Sequence, residues 1–313
     1  MELLQVVLSG FSTGGVYALV AIGHALIWGL MGLVNFANGD MLMIGMYVAY
    51  GLWAFSGMDP IIAAPIAGVV MFIMGVAIYY IITKRVLKAH RYAQIFATYG
   101  LAIFLRSSAQ FLFTANYKMV NNQILTGAIQ IGSISIGKAQ LFAGVVALLL
   151  SLLLYFILSN TNMGRAMRAT SEDGEIANAM GINADIMFAL AWGIAGACVG
   201  IAGALMSNYY YIYPDVGIAF STIASAIVCL GGLGNIPGAV AAALGLGIVE
   251  TVASYYVSSQ YKLAIVYVLY ILIVAYRALS AKRRKHIKKV QECVLGDIDF
   301  YNGKYLSDKN KKE

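Results

Sequence analysis

Nine apolar stretches, most of them long enough to cross a bilayer, fill nearly everything before residue 277: residues 3–29, 41–55, 61–83, 94–113, 139–158, 187–207, 218–231, 238–257 and 262–276. A helix needs about 20 mainly apolar residues to span membrane hydrocarbon, where it satisfies its own backbone. The expected fold class is all-α, a polytopic membrane protein with about eight to ten transmembrane helices. Hydrophobic residues make up 61% of the chain and charged ones 11%, against about 45–50% and about 25% in soluble domains. A soluble surface needs that missing charge and lipid does not. The second and seventh stretches are short and rich in glycine, so they are expected to be broken or re-entrant.

The net charge of +7 is unevenly placed. Eleven Lys or Arg stand against five acids from Arg277 onward, whereas the first 276 residues hold ten against nine. The basic excess therefore belongs to a tail rather than to a nucleic-acid face. This divides the chain into a membrane domain over 1–276 and a basic tail over 277–313. Basic clusters at Lys84, Arg85, Lys88 and Arg91, at Arg165 and Arg168, and in the tail follow the third, fifth and ninth stretches. Parity puts all three on one side, and the positive-inside rule names that side cytoplasmic. The N-terminus and the loops around Asp59, 115–138, 209–217 and 258–261 are then expected outside. Without a basic n-region or a small-residue cleavage site, the first stretch is expected to remain as a helix.

Chemistry-bearing motifs are sparse. Residues 132–139 carry the glycine and lysine spacing of a phosphate-binding loop, but Ala139 stands where a Mg²⁺-binding hydroxyl belongs. If ATP drives this protein, another subunit is expected to bind it. Cys198, Cys229 and Cys293 show no paired spacing, and His24, His90 and His286 are scattered, so neither a metal cluster nor a catalytic triad can be assembled. Ionisable residues in the stretches are few: Arg106, Glu250 and, at the start of the second, Asp40. Such residues must pair or meet water, and an Arg106–Glu250 pair is one expectation.

Two glycine patterns carry structural meaning. Gly10-x-x-x-Gly14 and Gly196-x-x-x-Gly200-x-x-Gly203 place small residues on one helix face, where backbones can approach closely. The run Gly231-Gly232-Leu233-Gly234-Asn235-Ile236-Pro237-Gly238 is not expected to stay helical. At membrane depth such backbone is tolerated only inside protein or beside water, which makes it a candidate lining of a pathway. Gly32-Leu33-Val34-Asn35 echoes Gly232-Leu233-Gly234-Asn235 two hundred residues later; interrupted helices at matching places often frame a transport path.

The longest polar stretch between apolar ones is 159–186. Ser171 is a fair N-cap there, Glu172, Asp173 and Glu175 supply first-turn acids, and Gly181 can close the helix. A short amphipathic helix is expected, suited to docking a cytoplasmic partner.

Gly32 to Met41, the loop from Gly164-Arg165-Ala166 to Gly181-Ile182-Asn183, and Leu230 to Ala239 together resemble the branched-chain amino acid ABC transporter permeases, over about residues 5–275. Asn38 and Asp40 stand where His and Glu are common in that family, which weakens any substrate assignment. The resemblance implies an ABC importer of the bacterial cytoplasmic membrane, multi-pass, with its C-terminus inside. Its partners would be two ABC ATPase subunits, a second related permease subunit, an extracytoplasmic solute-binding protein and the lipid bilayer, with no nucleic acid. This chain would hold no cofactor, since ATP and Mg would be bound by the partner subunits, and it would not be an enzyme. Glu172, Asp173, Glu175, Ala177 and Gly181 would engage the ATPase. Asn35, Phe36, Asn38, Asp40, Gly231, Gly232, Gly234, Asn235, Pro237 and Glu250 would line the translocation pathway. A urea or short-amide importer permease fits the same pattern, as does a self-contained channel or secondary transporter. A membrane-embedded enzyme is disfavoured by the missing catalytic constellation.

Overall fold

The computed structural model describes residues 2–120, 124–131, 134–257, 264–268, 270–273 and 275; the basic tail lies outside the described residues. The architecture is all-α. In order come α1 (Glu2–Met31), α2 (Asn38–Ser56), α3 (Pro60–Ile78) running through a π-turn (Tyr79–Thr83) into α4 (Lys84–Val86), α5 (Arg91–Phe113), strands β1 (Ala128–Ile131) and β2 (Ile134–Gly137), α6 (Lys138–Asn160), α7 (Asn162–Glu172), α8 (Gly174–Ala179), α9 (Ala184–Met206), α10 (Val216–Gly231) and α11 (Ile236–Tyr256). A further helical stretch covers residues 264–268 and 270–273. Among the described residues six helices are long and apolar enough to cross a membrane: α1, α3 with its extension, α5, α6, α9 and α11. The chain is a multi-pass membrane protein.

The core lies along α1 and α9, 72% and 61% buried over their most apolar windows, whereas α5, α6 and α11 are 28% buried and turn broad faces outward. Glycine explains how the centre closes. A Cβ on Gly10 would stand 2.7 Å from the Cα of Ile248, and one on Gly14 2.8 Å from that of Leu244, so α1 and α11 run antiparallel with backbones touching. Gly196 and Gly200 meet α3 at Met71 and Ala67, and Gly203 meets α2 at Leu42 and Met46. Without much hydrophobic drive between helices in lipid, this close backbone packing is the main source of cohesion.

Several expectations need correction. The second stretch is not broken: α2 is one helix of 19 residues, and the interruption precedes it. The loop expected over 115–138 contains the antiparallel β1–β2 pair, with Ile129 opposite Ile136. Alternation in Ile129-Gln130-Ile131 and Ile134-Ser135-Ile136 was the missed signal. The polar stretch is two helices rather than one. Ser171 lies inside α7, its hydroxyl donating to the Arg168 carbonyl, and the N-cap of α8 is Asp173, which accepts from the amides of Glu175 and Ile176 at 2.9 and 3.0 Å. Gly181 does end the unit, at φ +85°, with Ile182 N–H reaching back to the Ala177 carbonyl at 3.0 Å.

The echoed glycines share a positive φ. Gly32 and Gly232 leave α1 and α10 at φ +63° and +100°, a region that L side chains avoid. Each also donates its N–H to a carbonyl four residues back, Trp28 and Val228.

Candidate functional site

Beyond Gly32 the chain does not turn at once into a helix. It runs non-helically through residue 37, with the side-chain oxygen of Asn35 accepting from Ala37 N–H at 3.1 Å, and α2 begins at Asn38. The Asn38 amide reaches the Val20 carbonyl at 3.5 Å. Val20 lies eleven residues before the end of α1 (31 − 20), or about 16 Å at 1.5 Å per residue. Six extended residues cover about 20 Å at most, so the run climbs back along α1 and starts α2 deep in the protein. The break therefore delivers the α2 N-terminus to the level of Val20 on α1, well inside the protein.

A second helix begins at the same place. The Asp40 and Gly39 backbone packs on Gly217 in the first turn of α10, so tightly that a Cβ on Gly39 would stand 2.1 Å from the Gly217 carbonyl oxygen. Ser221 stitches the two together, accepting from Gly39 N–H at 2.8 Å and donating to the Phe36 carbonyl at 2.9 Å. Asp40 is fully buried. Arg106 of α5 donates to its carboxylate through Nε and Nη2, at 3.2, 3.1 and 3.3 Å. The pairing of α2 with α5 continues one level up, where Tyr47 stacks on Phe113 at 4.4 Å. Arg106 thus pairs with Asp40 and not with Glu250. Glu250, in α11, instead accepts from the Tyr17 hydroxyl at 2.7 Å, and the Tyr17 ring meets Phe220 of α10 at 6.1 Å.

The glycine run sits elsewhere. Residues 232–235 separate α10 from α11 as a tight turn, with Gly234 at φ +74° and the Asn235 side chain capping Gly238 N–H at 3.2 Å. Gly234 lies on Gly29 at the end of α1, and Asn235 and Pro237 border a cleft of about 240 Å³ whose other walls include Leu26, Leu158, Met167 and Arg168. The ten residues expected along one path accordingly fall in three places: Asn35, Phe36, Asn38 and Asp40 at the α2–α10 start, Glu250 beside Tyr17, and Gly231, Gly232, Gly234, Asn235 and Pro237 at the α10–α11 turn.

In the polar unit, Glu172, Asp173 and Glu175 are exposed, but Ala177 is buried. Its methyl group packs inward and is not available to a partner. The outward side of α8 carries Ile176 and Met180 instead, 64% and 78% exposed. Their i, i+4 spacing on a helix flanked by acids was the signal available in the sequence. The unit is tied to the membrane helices at the first turn of α9: Asp185 accepts from Tyr79 of the π-turn at 2.9 Å and pairs with Lys84 at 2.7 Å.

Known proteins supply an independent comparison. The chain is 32% identical to the high-affinity branched-chain amino acid transport system permease protein LivH of Salmonella typhimurium, over 92% of this chain and 97% of that protein. It is 29% identical to BraD of Pseudomonas aeruginosa, a permease protein of the same description, over 92% and 98%. A probable branched-chain amino acid transport permease protein of Methanocaldococcus jannaschii is 31% identical over 78% of each chain. No solved structure matches. Residues 6–274 match the family of permease components of branched-chain amino acid transport systems, and with that coverage the chain belongs to it.

Proposed function

We propose that this protein is one of two related permease subunits of an ABC importer in the bacterial cytoplasmic membrane, and that it carries branched-chain amino acids inward. A solute-binding protein delivers them from outside, and two ATPase subunits inside bind ATP and Mg²⁺ and supply the drive. The permease contributes a path and a handle, and no catalysis. The orientation that suits this work places α7, α8 and the C-terminus in the cytoplasm, where Lys84, Arg85, Lys88, Arg165 and Arg168 gather.

The observation that carries the reading is α8. In a chain otherwise built for lipid, it is a short capped helix that displays Ile176 and Met180 in a setting of Glu172, Asp173 and Glu175. An apolar pair ringed by acids fits a socket with a basic rim. Because α8 passes into α9 through the Gly181 turn, and α9 packs along α1, α2 and α3, a push on α8 reaches the central helices directly. Nucleotide binding shifts the permease between states only through unequal affinity for them, and a rigid capped helix is the means of transmitting that difference.

Leucine uptake into proteoliposomes tests this. The complete complex should take up leucine, isoleucine and valine with ATP, and the permease alone should take up none. Ile176→Asp with Met180→Asp should reduce ATP-driven uptake at least about tenfold, the loss of one fully buried apolar contact, without removing the protein from the membrane. Flux through the isolated chain would instead indicate a channel or secondary transporter, and ATP-driven uptake of urea but not leucine would indicate the amide-importer alternative.

A further inference from the structure

The charges around Arg106 are arranged in a way that a structural ion pair does not require. Arg106 lies seven residues before the end of α5 (113 − 106), about 10 Å along the helix. Asp215 immediately precedes α10, a helix of 16 residues and so about 24 Å long, shorter than the roughly 30 Å hydrocarbon core. Arg106 therefore lies well inside a helix long and apolar enough to cross a membrane, and Asp215 stands beside it. Asp40 is fully buried, but the Asp215 side chain is 70% exposed and the Arg106 side chain 22%. Charges uncovered at this depth face water or protein, not lipid.

Asp215 stands 3.8 Å from Arg106 Nε, beyond hydrogen-bond reach, so its carboxylate is not consumed by the arginine. Asp40 takes the Nε–Nη2 edge of the guanidinium, and the planar fork has a second edge suited to a carboxylate. The α2 and α10 N-termini also meet here, and their dipoles favour added negative charge. Exposed apolar groups follow: Ile218, 46% exposed, donates its N–H to the Asp215 carbonyl, and farther along Phe36, 37% exposed, meets the ring of Tyr99 at 6.4 Å.

Cation, anion and apolar rim side by side match a zwitterion with an aliphatic side chain. We propose that Arg106 and Asp215 read the two charged ends of the amino acid as it crosses, the carboxylate on the guanidinium and the ammonium on Asp215, with Asp40 positioning Arg106. The assignment rests on the importer reading above and deepens it. A neutral amide would have no use for the pair.

The test uses the complete complex in proteoliposomes, measuring leucine uptake together with ATP hydrolysed per leucine moved. Asp215→Asn should lower uptake at least about tenfold, the effect of one lost charge-assisted hydrogen bond, and should raise ATP hydrolysed per leucine by a similar factor. Asp215→Glu should recover most of both. The charge swap Asp40→Arg with Arg106→Asp should leave the subunits co-purifying but abolish uptake. Wild-type uptake in Asp215→Asn, a parallel fall of uptake and hydrolysis, or full uptake in the swap would overturn the proposal and reduce the cluster to a structural latch. A wild-type complex that moves no branched-chain amino acid would refute the importer reading itself, whereas leucine uptake indifferent to Asp215 would refute only this assignment.

Discussion

The two glycine-exit breaks begin alike and finish differently. At Gly32 and Gly232 the helix ends on a glycine of positive φ, and in each an Asn three residues on accepts a backbone N–H through its side chain. After Gly232 the chain is helical again within four residues, whereas after Gly32 it climbs back to the level of Val20 before α2 begins. The difference lies downstream. Pro237 occupies the first turn of α11, where its fixed φ and missing N–H are already suited to a helix start. The first break has Phe36-Ala37 in that place, and nothing holds a helix there until Gly39 N–H finds Ser221 of α10. One break is closed by its own residues and the other by a partner 182 positions away.

The largest expected effect follows from that dependence. At the first break the tight backbone contact lies between α2 and α10, where a Cβ on Gly39 would meet the Gly217 carbonyl oxygen at 2.1 Å. At the second it joins the adjoining ends of α10 and α11 across the turn, where a Cβ on Gly231 would meet Ala239 N at 2.4 Å. Gly39→Ala must push apart two helices that are distant in sequence and should cost about 3 kcal/mol or more, at the upper end of overpacking. Gly231→Ala has only to part the ends of two helices that one short turn joins, and should cost less. Thermal unfolding in detergent gives the order, and the reverse order would remove the distinction between a partner-made and a self-made break.

A middle-sized effect separates conformation from crowding. Nothing lies within 4 Å of a Cβ placed on Gly32, so only its φ of +63° resists substitution. Gly32→Ala should cost about 1–2 kcal/mol, the penalty for a left-handed L residue, and Gly32→Asn distinctly less. Gly234 combines a φ of +74° with Gly29 at 3.0 Å, so Gly234→Asn should recover little. Equal rescue by Asn at both positions would show that crowding at the second break is unimportant.

How much of this was legible follows from the kind of force involved. The places and order of the apolar helices could be read because lipid imposes apolarity locally, and Gly181 because a helix end leaves a local mark. The end of α8 could be read but not its beginning, since Ser171 and Asp173 are both competent caps and only the packing of α7 decides between them. The partner of Arg106 could not be read at all. Asp40 reaches it because the Gly32 break returns α2 to mid-depth, and that length is set by Ser221, far away in sequence. For the same reason the ten path residues were grouped by motif, although the fold divides them among three places.

The smallest expected effect tests whether the two asparagines are equivalent. Asn235 is the N-cap of a 21-residue helix and accepts from Gly238 N–H at 3.2 Å. Asn235→Ala exposes an end that Pro237 still preorganises, and should cost about 1 kcal/mol, the usual worth of a cap. Asn35 caps no helix: its oxygen holds Ala37 N–H within the turn that precedes α2, and the residue is almost wholly buried. Asn35→Asp keeps that acceptor but introduces a charge into a buried run at membrane depth, which is costly there, whereas Asn235→Asp gains from the helix dipole at an exposed N-terminus. Aspartate should therefore be tolerated at 235 and harmful at 35, measured as unfolding temperature and membrane yield of the two variants. Equal tolerance would mean that the first break is as open to water as the second, and the long climb to α2 would then run along an aqueous path rather than through packed protein.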